Sequence, residues 1–176
     1  MKLNNFVPII LFIILFIAEF IIPYKKRSNN IKHDLTNLSF GLINNLLLRV
    51  IFPIGIYQIF KDKITIFNMP EGPMFFFFTI ILFDFIIYWQ HRLFHIIDFF
   101  FRFHKVHHSD SFLNASSGIR FHSGEIFFST LIKAVALIIF APKIEYYLWY
   151  ETLLLSFSLY NHSNIKFYDK IERILS

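Results

Sequence analysis

Residues 73–95, PMFFFFTIILFDFIIYWQHRLFH, join a strongly apolar segment to the first pair of histidines in the chain. The apolar part, which extends to Gln90, contains one charged residue, Asp84. An uninterrupted apolar segment of about 18 residues is a candidate transmembrane helix. Because His91 and His95 follow without a break, the sequence predicts a membrane helix with two imidazoles at its end.

The spacing within this segment places several polar side chains on one helix face. His91 and His95 are four residues apart, so their Cβ atoms lie about 5–6 Å apart on a helix. Tyr88 and Asp84 continue the same stripe towards the N-terminus. A carboxylate inside an apolar segment is a candidate functional group. We expect Asp84 to accept a hydrogen bond from a metal ligand or from Tyr88, or else to serve a structural helix contact.

A second histidine cluster begins at His104, after eight intervening residues. His104, His107 and His108 have the spacing i, i+3, i+4, so all three imidazoles can point to one side of a helix. Seven of the eight histidines in the chain fall between His91 and His162. Neutral imidazole is the commonest side-chain metal ligand, and two clusters so close together predict a metal site.

The composition predicts a membrane protein. The 176 residues are 56% hydrophobic, with a mean hydropathy of +0.54, well above that of an ordinary soluble domain. The second apolar segment contains Asn44, Asn45 and Arg49 and is either a polar-faced span or an interfacial helix. The predicted spans are Phe6–Ile22, Leu38–Phe60, Pro73–Gln90, Ile126–Ala141 and Tyr146–Tyr160.

The basic residues predict the orientation of this bundle. They follow the first and third apolar segments, and the positive-inside rule places both connections in the cytoplasm. The cations concerned are Lys25, Lys26, Arg27 and Lys32, then Arg92, Arg102, Lys105 and Arg120. If Leu38–Phe60 spans the membrane, His162 returns to the same side as both clusters. We therefore expect an all-α, polytopic membrane helix bundle of about four to five apolar helices with a cytoplasmic His-rich helical cap.

Three further residues are interpreted from their position. His122, where the chain re-enters the membrane, is either a ligand or a hydrogen-bonding scaffold residue. Glu125 suits the N-terminus of the next helix electrostatically. His33 lies in a polar, basic stretch without a second histidine nearby, so we expect a solvated loop residue.

Charge and cysteine content exclude several classes of function. The net charge is +5, but the cations lie between apolar segments, so we expect contact with membrane lipids and no nucleic-acid partner. Cysteine is absent, which excludes thiolate metal sites. Six or more histidines exceed the four ligands of a structural zinc but match two metals in one pocket. By ligand softness, iron, zinc, copper and nickel all remain possible.

These motifs, taken together, resemble those of the fatty acid hydroxylase / sterol desaturase superfamily. They read Asp84-x3-Tyr88-x2-His91-Arg92-x2-His95, His104-x2-His107-His108-Ser109, Asn114, Arg120-x-His122-x2-Glu125 and Asn161-His162-Ser163-Asn164. The resemblance implies an integral membrane oxygenase that hydroxylates or desaturates a fatty acyl or sterol-like lipid with O2. It implies two metal ions, usually iron although zinc is possible, and electrons from a separate electron-transfer protein. The implied ligands are His91, His95, His104, His107, His108 and His162, with Asp84, Glu125 and Asn164 orienting them.

The resemblance also divides the chain. Residues 1–70 form N-terminal membrane segments and a polar linker, and residues 71–176 form a fatty acid hydroxylase-like His-box domain. The superfamily carries a further His-x2-His-His cluster downstream of Asn164, and the sequence reaches Ser176 without one. We therefore expect a C-terminally truncated member that lacks part of the metal shell. A truncated reading frame, a sequence fragment and a second polypeptide that completes the site all stay open.

Three alternatives stay open from the residues alone. The first is a non-catalytic membrane protein with a degenerate metal site. The second is a bis-histidine haem electron carrier, which needs paired histidines on facing helices within the bilayer. The third is a zinc metalloprotease, although the segment from His91 to His95 lacks the glutamate that would serve as general base.

Overall fold

The computed structural model describes residues 6–26, 31–51 and 66–166. Within these ranges the chain forms six α-helices and one 3-10 helix, and its only strand-like feature is an isolated bridge between Pro23 and Ile165. The predicted all-α class is confirmed. The helices are α1 (Val7–Ile21), α2 (Ile31–Ile51), α3 (Pro73–Ile96), α4 (Asp98–His108), the 3-10 helix (Ala115–Ile119), α5 (Ser123–Phe140) and α6 (Ile144–His162).

Two of the described helices, α3 and α5, are long and apolar enough to cross a membrane. Most of each lies outside the protein's own core, and large apolar side chains such as Phe77, Ile81 and Phe85 are exposed on α3. Such surfaces suit contact with lipid. Helix α1 is equally apolar but has only 15 residues. Helix α3 also extends six residues past Gln90, so both of its histidines belong to the helix itself.

Helix α2 starts earlier than the hydropathy suggests. It begins at Ile31, and part of the predicted span Leu38–Phe60, residues 52–60, lies outside the described residues. Asp34 lies in the first turn, where a negative charge favours a helix N-terminus. The prediction of His33 as a solvated loop residue is therefore wrong: this helical side chain is largely buried, with Nε2 2.7 Å from Oδ1 of Asp110.

The helices meet at two distinct ends. At one end, the residues after α1 contact those after α6, where the Tyr24 N–H donates to the Asn164 carbonyl. At the other end, the ammonium of Lys143, between α5 and α6, lies 2.7 Å from the carboxylate of Glu71, just before α3. Helices α1, α3 and α6 therefore run towards the first end and α5 runs away from it. The two histidine clusters lie at that first end, which we call the His-rich end.

Two buried clusters hold these helices together. In the first, Phe83 of α3 packs against Leu137 of α5 and Tyr150 of α6, whose hydroxyl donates to the Phe83 carbonyl at 3.2 Å. The second joins α1, the 3-10 helix and α6 through Leu15, Ala115 and Leu159. This second cluster lies directly next to the segment that follows α6, so it supports the His-rich end.

Candidate metal centre

A single extended residue brings the two histidine clusters together. Ile97 lies between α3 and α4 with φ −95° and ψ 113°, a β conformation that interrupts the helix. The chain turns there, and α4 packs back against the end of α3. The ring centroid of His104 consequently lies 4.6 Å from that of His91 and 4.6 Å from that of His95.

Four imidazoles converge on one point. One ring nitrogen from each lies within 4.8 Å of those of the other three. His104 is fully buried, whereas the other three rings are exposed on one side. We call this set, His91, His95, His104 and His108, the four-histidine cluster.

The hydrogen bonds of His104 show why a cation fits this cluster. Its Nδ1 lies 2.8 Å from Oε1 of Glu125, so Nδ1 donates and Nε2 carries the lone pair. That Nε2 lies 3.2 Å from Nε2 of His95 and 2.9 Å from Nε2 of His108. The single lone pair on Nε2 of His104 cannot accept good hydrogen bonds from both neighbouring rings. Where the facing nitrogens are unprotonated, their lone pairs repel one another.

A metal ion removes this conflict. At a metal–nitrogen distance of about 2.0–2.1 Å, the nitrogens of two ligands in a tetrahedral site lie about 3.4 Å apart. The Nε2 atom of His104 lies at similar distances, 3.2 and 2.9 Å, from those of His95 and His108. A carboxylate that fixes the tautomer of a ligating histidine is the usual outer partner of such a site. The residues present therefore fit a bound transition metal.

A second pair of histidines lies beside this cluster. The ring centroids of His107 and His162 are 4.6 Å apart. Nδ1 of His107 donates to the Arg120 carbonyl at 3.2 Å, and Nδ1 of His162 donates to the Ser158 carbonyl at 2.7 Å. Both bonds leave Nε2 with its lone pair. We call these two residues the histidine pair.

Desolvation favours the neutral form of His107 and of His108. Burial, and secondly the neighbouring His162, lower the pKa of His107 to about 3. Burial also lowers the pKa of His108, followed by the influence of His104. A neutral imidazole is the form that binds metal, so both rings are ready as ligands at pH 7. His107 is further held by parallel stacking on Phe121, with centroids 4.5 Å apart.

Glu125 supplies the carboxylate of the site. It lies in the first turn of α5 and is buried, where the helix N-terminus favours negative charge. Its Oε2 is buried and has no hydrogen-bond partner among the residues that the structure describes. Since an unpaired buried carboxylate oxygen is costly, this atom is suited to a metal ion or a proton.

The other predicted site residues lie elsewhere. Asp84 is exposed on α3, with its charge near Tyr150, so an orienting role for it stays a prediction. His122 is the N-cap of α5, and its Nδ1 accepts the Gly124 N–H at 3.0 Å, a scaffold role. Asn164 is buried but makes both side-chain hydrogen bonds to the backbone of Lys25.

Several polar contacts around the site were not predicted from the sequence. Arg120 donates from Nη1 to Oδ1 of Asn37 and from Nε to the Val106 carbonyl, which ties α2 to α4. Asp110 accepts from Ser117 at 2.6 Å. Glu19, on α1, is also a carboxylate within an apolar segment, so the argument that singled out Asp84 could have identified it as well.

Comparison with known proteins agrees with this geometry. The family model for fatty acid hydroxylase matches residues 76–175, more than half of the chain. No solved structure matches the chain. The matched region includes the four-histidine cluster, Glu125 and the histidine pair, and the predicted resemblance is confirmed. The chain therefore belongs to the fatty acid hydroxylase family, whose members are membrane-associated oxidoreductases known for iron-dependent catalysis.

Proposed function

We propose that this protein is a membrane-bound, di-iron, O2-dependent oxidoreductase that hydroxylates or desaturates a fatty acyl or sterol-like lipid. The observation that carries the proposal is the convergence of four imidazole nitrogens within 4.8 Å of one another, at the end of an exposed apolar helix. Family membership supports the same chemistry.

The two groups of histidines suit two metal positions. The four-histidine cluster would hold one ion, and His107 and His162 would contribute to a second. Bound iron supplies the activation of O2 that attack on an unactivated C–H bond requires. Around it, Glu125 holds the proton on Nδ1 of His104 and so keeps the Nε2 lone pair turned inwards.

The end of α3 suits a reaction at the membrane surface. Trp89, two residues before His91, is exposed, and the guanidinium of Arg92 lies 5.4 Å from its ring centroid. Tryptophan and basic side chains are enriched at the boundary between hydrocarbon and water. An apolar chain lying along the exposed face of α3 would reach the cluster at this boundary. The His-rich end would face the cytoplasm, where a separate electron-transfer protein delivers electrons.

The haem alternative is less well supported by this geometry. A bis-histidine haem needs a flat slot between two imidazoles that is wide enough for a porphyrin. In the four-histidine cluster, four rings with centroids 4.6–6.3 Å apart fill that space. Ions fit the cluster better than a macrocycle does.

Metal analysis and turnover of the purified protein test the proposal. We expect about two iron ions per complete protein, and a product that gains one oxygen atom on hydroxylation or loses two hydrogens on desaturation. Each turnover consumes one O2, two electrons and two protons, and releases one water on hydroxylation or two on desaturation. His108→Ala should abolish both metal binding at the cluster and product formation, whereas the matched histidine variant His33→Gln should retain both. Purified protein that binds no metal, with the missing histidine cluster restored where necessary, would overturn the proposal.

A further inference from the structure

Glu19 is a buried carboxyl group in an otherwise apolar helix. It is fully buried on α1. Its Oε1 accepts two backbone N–H groups, that of Ala115 at 2.6 Å and that of Asn164 at 2.8 Å. These donors lie 96 and 145 residues away in the sequence. One oxygen atom therefore holds two distant segments together.

Both segments support the histidine pair. Ala115 begins the 3-10 helix, which leads to Arg120, and the carbonyl of Arg120 accepts from His107. Asn164 comes two residues after His162. Fixing these two backbone positions also fixes the separation of the two imidazoles.

The residues that follow α1 reinforce this connection. The Lys25 N–H donates to Oδ1 of Asn164 at 2.9 Å, and Nδ2 of Asn164 donates to the Lys25 carbonyl at 2.8 Å. The Lys166 N–H donates to the Ile22 carbonyl at 3.0 Å. The end of α1 and the segment after His162 thus form one hydrogen-bonded unit.

We infer that Glu19 is a positioning residue that holds His162 opposite His107 and thereby sets the affinity of the second metal position. Helix α1 lies outside the residues that match the family model, so this contribution comes from a part of the chain that the family match does not cover. The inference rests on the metal binding proposed above and not on the identity of the lipid.

The chemistry of the side chain gives a graded set of variants. Leucine at position 19 has no acceptor, so the two buried N–H groups would lose the oxygen atom to which they donate. Glutamine keeps one carbonyl oxygen that can accept both. If charge were the essential property, Glu19→Gln and Glu19→Leu would behave alike. If the two N–H bonds are essential, only Glu19→Leu is impaired.

Titration of the metal-free protein in detergent with Co2+, followed by its absorption, tests the inference. Removal of a residue that supports a metal ligand typically weakens metal binding about 10–100-fold. We therefore expect Glu19→Leu to bind the second equivalent of Co2+ about 10–100-fold more weakly than wild type does. Glu19→Leu should bind the first equivalent of Co2+ with the affinity of wild type. Glu19→Gln should bind both equivalents with the affinity of wild type. Ile17→Leu, an exposed position on the same helix, is the control.

Hydrogen–deuterium exchange of the metal-free protein gives a second readout. In Glu19→Leu, peptides that cover residues 113–121 and 158–166 should exchange faster, while peptides from α3 should not change. If Glu19→Leu does not fold, Glu19→Asp replaces it, because its side chain is one methylene shorter and its carboxylate cannot reach both backbone N–H groups. That variant should also weaken the second equivalent alone.

Several outcomes would contradict the positioning role. The first is a folded Glu19→Leu variant that binds Co2+ as wild type does. The second is an equal loss of affinity for both equivalents of Co2+ in that variant. The third is wild-type protein that binds a single equivalent. Wild-type protein that takes up no Co2+ would instead contradict the proposed function. The exchange measurement needs no metal and separates the two failures.

Discussion

At the scale of single residues, His104 is the centre of the site. It is the only fully buried member of the four-histidine cluster, and its ring contacts a carboxylate on one side and two imidazoles on the other. The contact with Glu125 decides which nitrogen of His104 carries the proton. Among the described residues, the exposed members of the cluster make no comparable contact with a buried carboxylate. Glu125 is therefore the residue whose substitution should affect the cluster most directly.

We predict that Glu125→Ala lowers the affinity of the cluster for its first metal about 10–100-fold. The reason is that Nδ1 of His104 loses its acceptor and the tautomer is no longer fixed. Competition with a chelator of known affinity measures the effect. Glu71→Ala, which removes an exposed carboxylate from its ion pair with Lys143, should leave the affinity unchanged. An equal loss in both variants would show that general charge, and not the contact with His104, is responsible.

His122 allows a second prediction at this scale, because it caps α5 through Nδ1. His122→Asn should retain metal and stability, since asparagine is a preferred N-cap residue. His122→Ala should lose about 1 kcal/mol of stability and still bind the same amount of metal. Thermal unfolding and metal analysis of both variants provide the check. Loss of one metal ion in His122→Asn would mean that the ring is a ligand.

At the scale of elements, the 3-10 helix holds the site together. It begins with a capping box in which the Asn114 side chain accepts the Ser116 N–H. Its backbone lies directly against α6, where the Ser158 hydroxyl donates to the Gly118 carbonyl at 2.8 Å. The same Ser158 accepts from His162 through its carbonyl. The short helix therefore determines how close α6 comes to α4.

Gly118→Ala should destabilise the protein and move the 3-10 helix away from α6. A Cβ at this position would lie 2.9 Å from the Leu159 Cα and 2.9 Å from the Ser158 carbonyl oxygen, both backbone atoms that cannot turn away. We expect a loss of about 1–3 kcal/mol, measured by thermal unfolding in detergent.

Gly41→Ala is the matched control for this variant. Its new Cβ would meet only side-chain atoms of Ile119, with Cδ1 at 3.0 Å and both Cβ and Cγ1 at 3.5 Å. Alanine also favours a helix over glycine by about 0.5–1 kcal/mol. Gly41→Ala should therefore be neutral or stabilising. A similar loss in both variants would argue against a specific contact between the 3-10 helix and α6.

At the scale of the whole molecule, the two ends of the bundle differ in chemistry. The His-rich end gathers all seven histidines from His91 onwards, through the contacts of His104 with Glu125, His107 with His162 and Phe103 with His122. The opposite end carries the ion pair between Glu71 and Lys143. Two apolar helices, α3 and α5, connect these ends. The proposed orientation places the His-rich end in the cytoplasm.

Single-cysteine labelling tests this orientation, since the natural sequence has no cysteine. Ser111→Cys marks the His-rich end and Glu71→Cys marks the opposite end, and both positions are exposed. In intact cells, a membrane-impermeant maleimide should label only Glu71→Cys. Ser111→Cys should react after permeabilisation. The reverse pattern would place the histidines outside the cell and rule out a cytoplasmic electron donor.

The helical class, the apolar segments and the two histidine clusters could be predicted from the amino-acid sequence alone. These features depend on local spacing, because residues three or four apart on a helix are neighbours wherever the helix lies. Hydropathy located α3, α5 and α6 closely, and it found the apolar core of α1. It missed the start of α2, since the first turn of that helix is polar and its burial depends on Asp110 after α4.

Which polar side chains meet could not be predicted from the sequence, because it depends on how the helices pack. Asp84 and Glu19 are both carboxylates within apolar segments, yet Asp84 is exposed and Glu19 is fully buried against two backbone N–H groups. The contacts of Glu19 join residues 96 and 145 positions apart. No local pattern encodes such a pairing, because it depends on the turn at Ile97 and on how the helices pack at the His-rich end. The sequence thus identified the candidate ligands, and the packing specified what holds them.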